Sequence, residues 1–231
     1  MRHLSAGALL GLGLWPGCAS TASKERTARL KPFRFIVVND THYMSAECGE
    51  WLARVVQQMR THKDAEFCLH LGDLTEKGER AHLGAVREIF HTLKLPVYVQ
   101  IGNHDYLTHT DRKAYEELFP NRLNYSFEHG GCQFVSVDSS EGAHYEHTSI
   151  GKATLAWVDK QLPRLEKSKP TILFTHFPLG EGITYRPANA EDLLKRFLDF
   201  NLQAVFSGHF HGFTEKKFSE ATLTTNACCA L

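Results

Sequence analysis

The sequence has no excess of either charge: Lys plus Arg and Asp plus Glu each number 26 in 231 residues. That balance lacks the electrostatic footprint of a nucleic-acid binder or of a protein recruited mainly to an anionic membrane surface. The six cysteines, Cys18, Cys48, Cys68, Cys132, Cys228 and Cys229, include no pair at zinc-ribbon or redox spacing. Cys68 and Cys132 fall inside apolar runs and read as small core residues, while the adjacent Cys228 and Cys229 have no assigned role. The apolar stretch at the N-terminus, Leu4 to Leu14, is 11 residues long. A bilayer needs roughly 20, so this stretch cannot span one. From Pro32 onward no repeat or low-complexity segment interrupts the pattern. A chain that is 42% hydrophobic and 23% charged then fits one globular domain with a sizeable core.

The first residues read as an address. Met1-Arg2-His3 is a short basic start, the apolar stretch follows, and Trp15-Pro16-Gly17-Cys18 closes it. Residues 1–18 are expected to be a signal peptide, similar to a bacterial lipoprotein signal with Cys18 as the lipidated first mature residue. Residues 19–31 are expected to form a flexible tether, and 32–231 the folded domain. The expected location is therefore outside the cytoplasm, as a periplasmic protein or a membrane-anchored lipoprotein held only by a lipid at Cys18, with a cytoplasmic location as the lesser alternative.

What the chain has in abundance is histidine, 14 residues, more than packing needs, which raises the expectation of metal chemistry. Strands are predicted at Phe33 to Val38, Glu66 to Leu71 and Pro96 to Ile101, alternating with amphipathic helices at Glu50 to Arg60 and Glu79 to Leu93. This βαβαβ series implies a largely parallel sheet with right-handed crossovers. A hairpin is predicted at Asn124 to Phe127 and Cys132 to Val137, followed by a helix at Lys152 to Leu165. A strand to Thr175, a helix at Ala190 to Phe200 and strands at Ala204 to Ser207 and near Ala221 to Thr225 complete the pattern. The expected fold is an α/β sandwich of two packed sheets with helices outside.

Five polar clusters sit just after predicted strands: Asp40-Thr41-His42, Gly72-Asp73, Gly102-Asn103-His104-Asp105, His176, and Gly208-His209-Phe210-His211. In parallel α/β sheets ligands collect at the carboxyl ends of the strands, so these clusters should converge. Convergence would assemble two carboxylates, four imidazoles and an amide oxygen, a set suited to two transition-metal ions rather than to calcium or magnesium. One carboxylate must bridge if each ion is to have four protein ligands. In Gly208-His209-Phe210-His211, alternate positions on an extended chain point both imidazoles the same way.

In this order the motifs Asp-x-His, Gly-Asp, Gly-Asn-His-Asp, His and Gly-His-x-His resemble those of the calcineurin-like metallophosphoesterases. The closest likeness within that superfamily is to the class III cyclic-nucleotide phosphodiesterase branch, over roughly Phe33 to Gly212. The resemblance implies a four-layer α/β/β/α sandwich of two mixed sheets, with the second sheet expected to fall short of strands and dimerisation as one compensation. It implies Asp40, His42 and His211 on one metal ion, Asn103, His176 and His209 on the other, and Asp73 between them. It also implies His104 as the non-ligand histidine facing the leaving group or a phosphate oxygen, and Asp105 as the residue that orients it. Glu76, three residues after Asp73, separates the chain from the purple acid phosphatases, which carry a tyrosine ligand there.

Two divalent ions of manganese, iron or zinc, with two carboxylates and a hydroxide, leave about +1, which favours an anionic phosphoester. The implied activity is hydrolysis of a phosphodiester such as a cyclic nucleotide by hydroxide held between the metals. The alternatives are a phosphomonoesterase of the same fold and a non-catalytic metal-binding scaffold. Tyr43, His144, Tyr145, His147 and Tyr185 lie in loops that can reach the same edge and touch substrate.

Overall fold

The computed structural model describes residues 30–230, so the expected signal peptide with Cys18 and nearly all of the expected tether lie outside the described residues. Nine strands and five helices are described. The first unit runs β1 (Arg34–Val38), α1 (Ala46–Met59), β2 (Ala65–His70), α2 (Arg80–His91), β3 (Val97–Val99) and α3 (Lys113–Leu118). The second runs β4 (Tyr125–His129), β5 (Cys132–Ser136), α4 (Lys152–Gln161), β6 (Thr171–Phe174), α5 (Ala190–Lys195), β7 (Leu202–Ser207), β8 (Thr214–Phe218) and β9 (Ala221–Thr225).

Two sheets result, ordered β1-β2-β3 and β4-β5-β6-β7-β9-β8. The first is wholly parallel rather than mixed, because each of its connections is a crossover helix. The second is mixed: its four inner strands are parallel, and β4 and β8 add antiparallel at its two edges. Six strands make this the larger sheet, and the N-terminal one is the shorter.

Strand alternation explains the layering. Along β2, Phe67, Leu69 and Leu71 enter a cluster between the sheets with Phe134, Ile172 and Phe174, while Cys68 turns outward beneath the first group of helices. In β5 and β6 the opposite face, with Val135 and Leu173, packs under α4 and α5 beside Leu193 and Phe197. Three apolar clusters therefore separate four layers, α/β/β/α. The middle one is aromatic, with Phe35 stacked on Phe67 at 5.0 Å and Phe127 on Phe134 at 4.8 Å. Burying each such ring stabilises the fold by roughly 1.5–3 kcal/mol.

Several boundaries differ from the expectations, each for a local reason. Helix α1 starts four residues early because Ser45 caps it, its hydroxyl accepting from the Cys48 N–H at 3.4 Å. Helix α4 gives way to a single 3-10 turn at Leu162–Arg164, where Pro163 has no N–H to donate. The expected helix to Phe200 stops at Lys195. Arg196, Phe197 and Leu198 bond three residues back rather than four, which tightens the chain while Phe197 stays in the core. Helix α3 and strand β8 were not anticipated. Strand β8, Thr-Glu-Lys-Lys-Phe, has no apolar alternation because it is a solvent-facing edge, and its charges protect that edge. Trp51 is half-buried: its indole N–H donates to the Cys229 carbonyl at 3.1 Å, and the Cys229 N–H donates to the Asn39 carbonyl. Cys229 thus helps return the chain to the end of β1, and Cys228 is exposed.

Candidate metal centre

The parallel strands β1, β2, β3, β6 and β7 end at one rim, and each of the five polar clusters follows one of those ends. The backbone there is unusual. Asp40, His42, Asp73, His209 and His211 all have positive φ, between 42° and 65°. Non-glycine residues seldom adopt this conformation, and such strain concentrates where a fold over-determines a functional geometry. The glycines beside them permit close approach. A Cβ on Gly102 would sit 2.1 Å from Asp73 Oδ1, and one on Gly208 2.6 Å from Asp40 Oδ2.

The donor atoms form two groups. In the first, Asp40, His42 and His211 place one donor each within 4.8 Å of one another, with His42 Nε2 3.1 Å from His211 Nε2 and 3.8 Å from Asp40 Oδ1. In the second, Asp73, His176 and His209 meet the same limit, and Asn103 Oδ1 lies 3.2 Å from His176 Nε2. Asp73 Oδ2 faces both groups, 3.7 Å from His42 Nε2 and 3.2 Å from His176 Nε2. That oxygen is buried and accepts from no backbone N–H or hydroxyl, whereas Oδ1 accepts from the His104 N–H at 2.9 Å. A buried anionic oxygen without a donor is costly unless a cation meets it.

The imidazoles are oriented from behind. His42 Nδ1 lies 2.9 Å from Glu76 Oε2, His176 Nδ1 2.8 Å from the Leu71 carbonyl, and His209 Nε2 2.8 Å from the Tyr145 carbonyl. Each partner is an oxygen that only accepts, so each of these nitrogens carries the proton. The other ring nitrogen, Nε2 of His42 and His176 and Nδ1 of His209, is then the one able to bind a metal. Without a cation the charges rearrange. Burial works against a charge on His176, but Asp73 overrides it and lifts the imidazole to about 9. Burial also opposes ionisation of Asp73, yet His176, with His104 and His42, holds its carboxyl well below the usual range. Burial, reinforced by His176, pushes His209 down to about 4. The extra proton on His176 occupies the place a metal would take, and metal binding would release it. Two carboxylates, four imidazoles and an amide oxygen, with one buried carboxylate oxygen facing both groups, fit a pair of transition-metal ions.

The sequence-based assignment of Asp105 needs correction. Its carboxylate does not touch the His104 ring. Oδ1 accepts from the Thr75 N–H at 3.0 Å and its hydroxyl at 3.3 Å, and Oδ2 accepts from the Gly102 N–H at 2.9 Å. Asp105 therefore braces the loop after β2 to the loop after β3. The His104 ring is held instead by Glu76, whose backbone carbonyl accepts from Nδ1 at 2.9 Å. Burial, then the nearby Asp73 charge, raises Asp105 to about 7.

At about pH 8, above that value, both Asp105 oxygens are acceptors facing backbone N–H donors. An amide in that place must oppose one of them with its own NH2. Asp105→Asn is expected to lower unfolding stability by roughly 1–3 kcal/mol in urea titration. An unchanged midpoint would contradict the bracing role.

Glu76 and the carbonyls of Leu71 and Tyr145 were not anticipated as positioning groups. Backbone carbonyls have no signature in the sequence, and Glu76 is distinctive only in lying three residues after Asp73. Of the loop residues considered, Tyr145 and Tyr185 line a recess of about 250 Å³ at the centre. Tyr43 packs into the first core and His144 against His109, and the His147 side chain is almost fully exposed.

Comparison with known proteins agrees with the geometry. The family model described as calcineurin-like phosphoesterase matches residues 33–213. A protein of Rhodopseudomonas palustris named as a probable cyclic nucleotide phosphodiesterase is 26% identical over 171 residues, 66% of this chain and 60% of the relative. The chain thus spans about three fifths of that relative's length. A glycerophosphodiester phosphodiesterase of Enterobacter lignolyticus is 24% identical over 216 residues, 81% of this chain and 74% of the relative. The crystal structure of a dimetal phosphatase from Danio rerio superposes with a TM-score of 0.65 at 17% identity, covering 85% of this chain and 87% of that one. It shares the four-layer fold.

Proposed function

The chain belongs to the calcineurin-like phosphoesterase family, and from that premise we propose that it hydrolyses a phosphodiester at a two-metal centre. In this reading Asp40, His42 and His211 hold one ion, Asn103, His176 and His209 the other, and Asp73 is shared. The observation that carries the proposal is the Asp73 Oδ2 atom, buried and facing the inner nitrogens of both donor groups. When bound, manganese, iron or zinc ions supply Lewis acidity and a hydroxide nucleophile near neutral pH.

The chain's own residues do the rest. Glu76 fixes His42 through Nδ1, and the carbonyls of Leu71 and Tyr145 fix His176 and His209. His104 lines the recess with Nδ1 tied to the Glu76 carbonyl, which leaves Nε2 to hold a proton and pass it to the leaving oxygen. The names of the two relatives, both phosphodiesterases, support a diester over a monoester. Loaded with manganese, the protein is expected to turn over bis-p-nitrophenyl phosphate with kcat/KM about tenfold or more above that for p-nitrophenyl phosphate, about 1.4 kcal/mol or more in transition-state binding. A strong preference for the monoester reverses this ranking.

A further inference from the structure

Resting on that reading of the site, we propose that the recess beside the centre selects phosphodiesters carrying a flat aromatic ring on one ester arm, with Tyr145 and Tyr185 as its walls. The lining of the recess divides in two. Asp73, His104, His209 and His211 belong to the donor side, and Tyr145, Tyr185 and Phe210 make the remainder. No lysine or arginine is among the described lining residues. A second phosphate beyond the reacting one would therefore meet rings instead of the cationic clamp that polyphosphates require. An uncharged ring would meet aromatic surface.

The Tyr185 ring packs on the centre itself, and Tyr145 is tied to it through its backbone. Tyr185 stands edge-to-face with His209 at 5.2 Å and with Tyr145 at 6.2 Å, and His209 is packed from its other neighbour, the buried Phe177, at 3.9 Å. Tyr185 keeps this position with φ at 66°, a costly conformation for a bulky side chain. The Tyr145 carbonyl accepts from His209 Nε2, so its loop is tied to a metal-ligand imidazole while its ring stays 54% exposed at the mouth. Tyrosine rings, with two side-chain torsions to order, offer stacking area at low entropic cost. At about 250 Å³ the recess is smaller than a typical drug-sized ligand pocket and suits one phosphoryl group with one ring-sized arm.

Two substrates separate this inference from the phosphodiesterase reading. Phenyl p-nitrophenyl phosphate and ethyl p-nitrophenyl phosphate share a leaving group and a charge and differ only in the arm that is retained. For the manganese-loaded full chain, kcat/KM is expected to favour the phenyl ester by about five- to tenfold, mainly through KM. Tyr145→Ala, at an exposed side chain, and Tyr185→Asn, which tolerates positive φ, should each bring the ratio toward one, whereas Tyr145→Phe should retain it. A wild-type ratio near one, or a ratio that survives both ring removals, overturns the inference and leaves the phosphodiesterase reading standing. Failure to hydrolyse either ester overturns both.

Discussion

Asp73→Ala is expected to lose metal and activity together. Elemental analysis after reconstitution and gel filtration should find at most one ion per chain, and kcat/KM for a diester should fall by about 10³-fold or more, several kcal/mol of transition-state stabilisation. The cause is the position of one oxygen. Asp73 Oδ2 lies within 4 Å of the inner nitrogens of both His42 and His176. In the proposed arrangement its removal would take a ligand from each ion, and in the metal-free protein it leaves the buried His176 imidazolium without its counter-charge. Breaking a buried pair in this way costs about 3–5 kcal/mol. A lower unfolding midpoint should therefore accompany the metal loss. Retention of two ions by the variant would show that Asp73 is not shared.

His104→Ala is expected to separate chemistry from metal binding. The ring lies beside His42, with centroids 4.8 Å apart, and is tied to the Glu76 carbonyl. What Asp73 receives from His104 is a backbone N–H, which alanine retains. Metal content should stay at two ions while kcat falls by about 10²–10⁴ for an alkyl leaving group. A p-nitrophenyl ester, whose leaving oxygen needs little protonation, should lose far less. That contrast between leaving groups distinguishes proton donation from a merely disturbed centre. Equal kcat in variant and wild type with the alkyl ester would falsify the role.

The readability of this chain follows the range of the forces involved. Apolar runs of a few residues marked β1, β2, β5, β6 and β7, because both faces of those strands pack against core clusters. The same signal missed β8, whose charged edge has no buried face, and misjudged α5, whose last turn is set by packing of Phe197 and Phe200. At the centre, residue types and their places after strands were legible because each motif is local. The mistaken role of Asp105 came from reading adjacency to His104 as contact. Its partners, Thr75 and Gly102, lie 30 residues and three residues earlier in the chain.

By itself the order of residues determined the inventory: which donors exist, that each follows a strand, and that the strands run parallel enough to gather them at one rim. Tertiary structure alone decided which oxygen faces both donor groups, which ring nitrogen of His42, His176 and His209 is free, and which rings stand beside the recess. Those outcomes depend on contacts such as His42 with His211, 169 residues apart, His176 with Leu71, 105 apart, and His209 with Tyr145, 64 apart. Hydrogen bonds and ligand geometry act over about 3 Å, so they are settled only when the two sheets have packed and brought those atoms together.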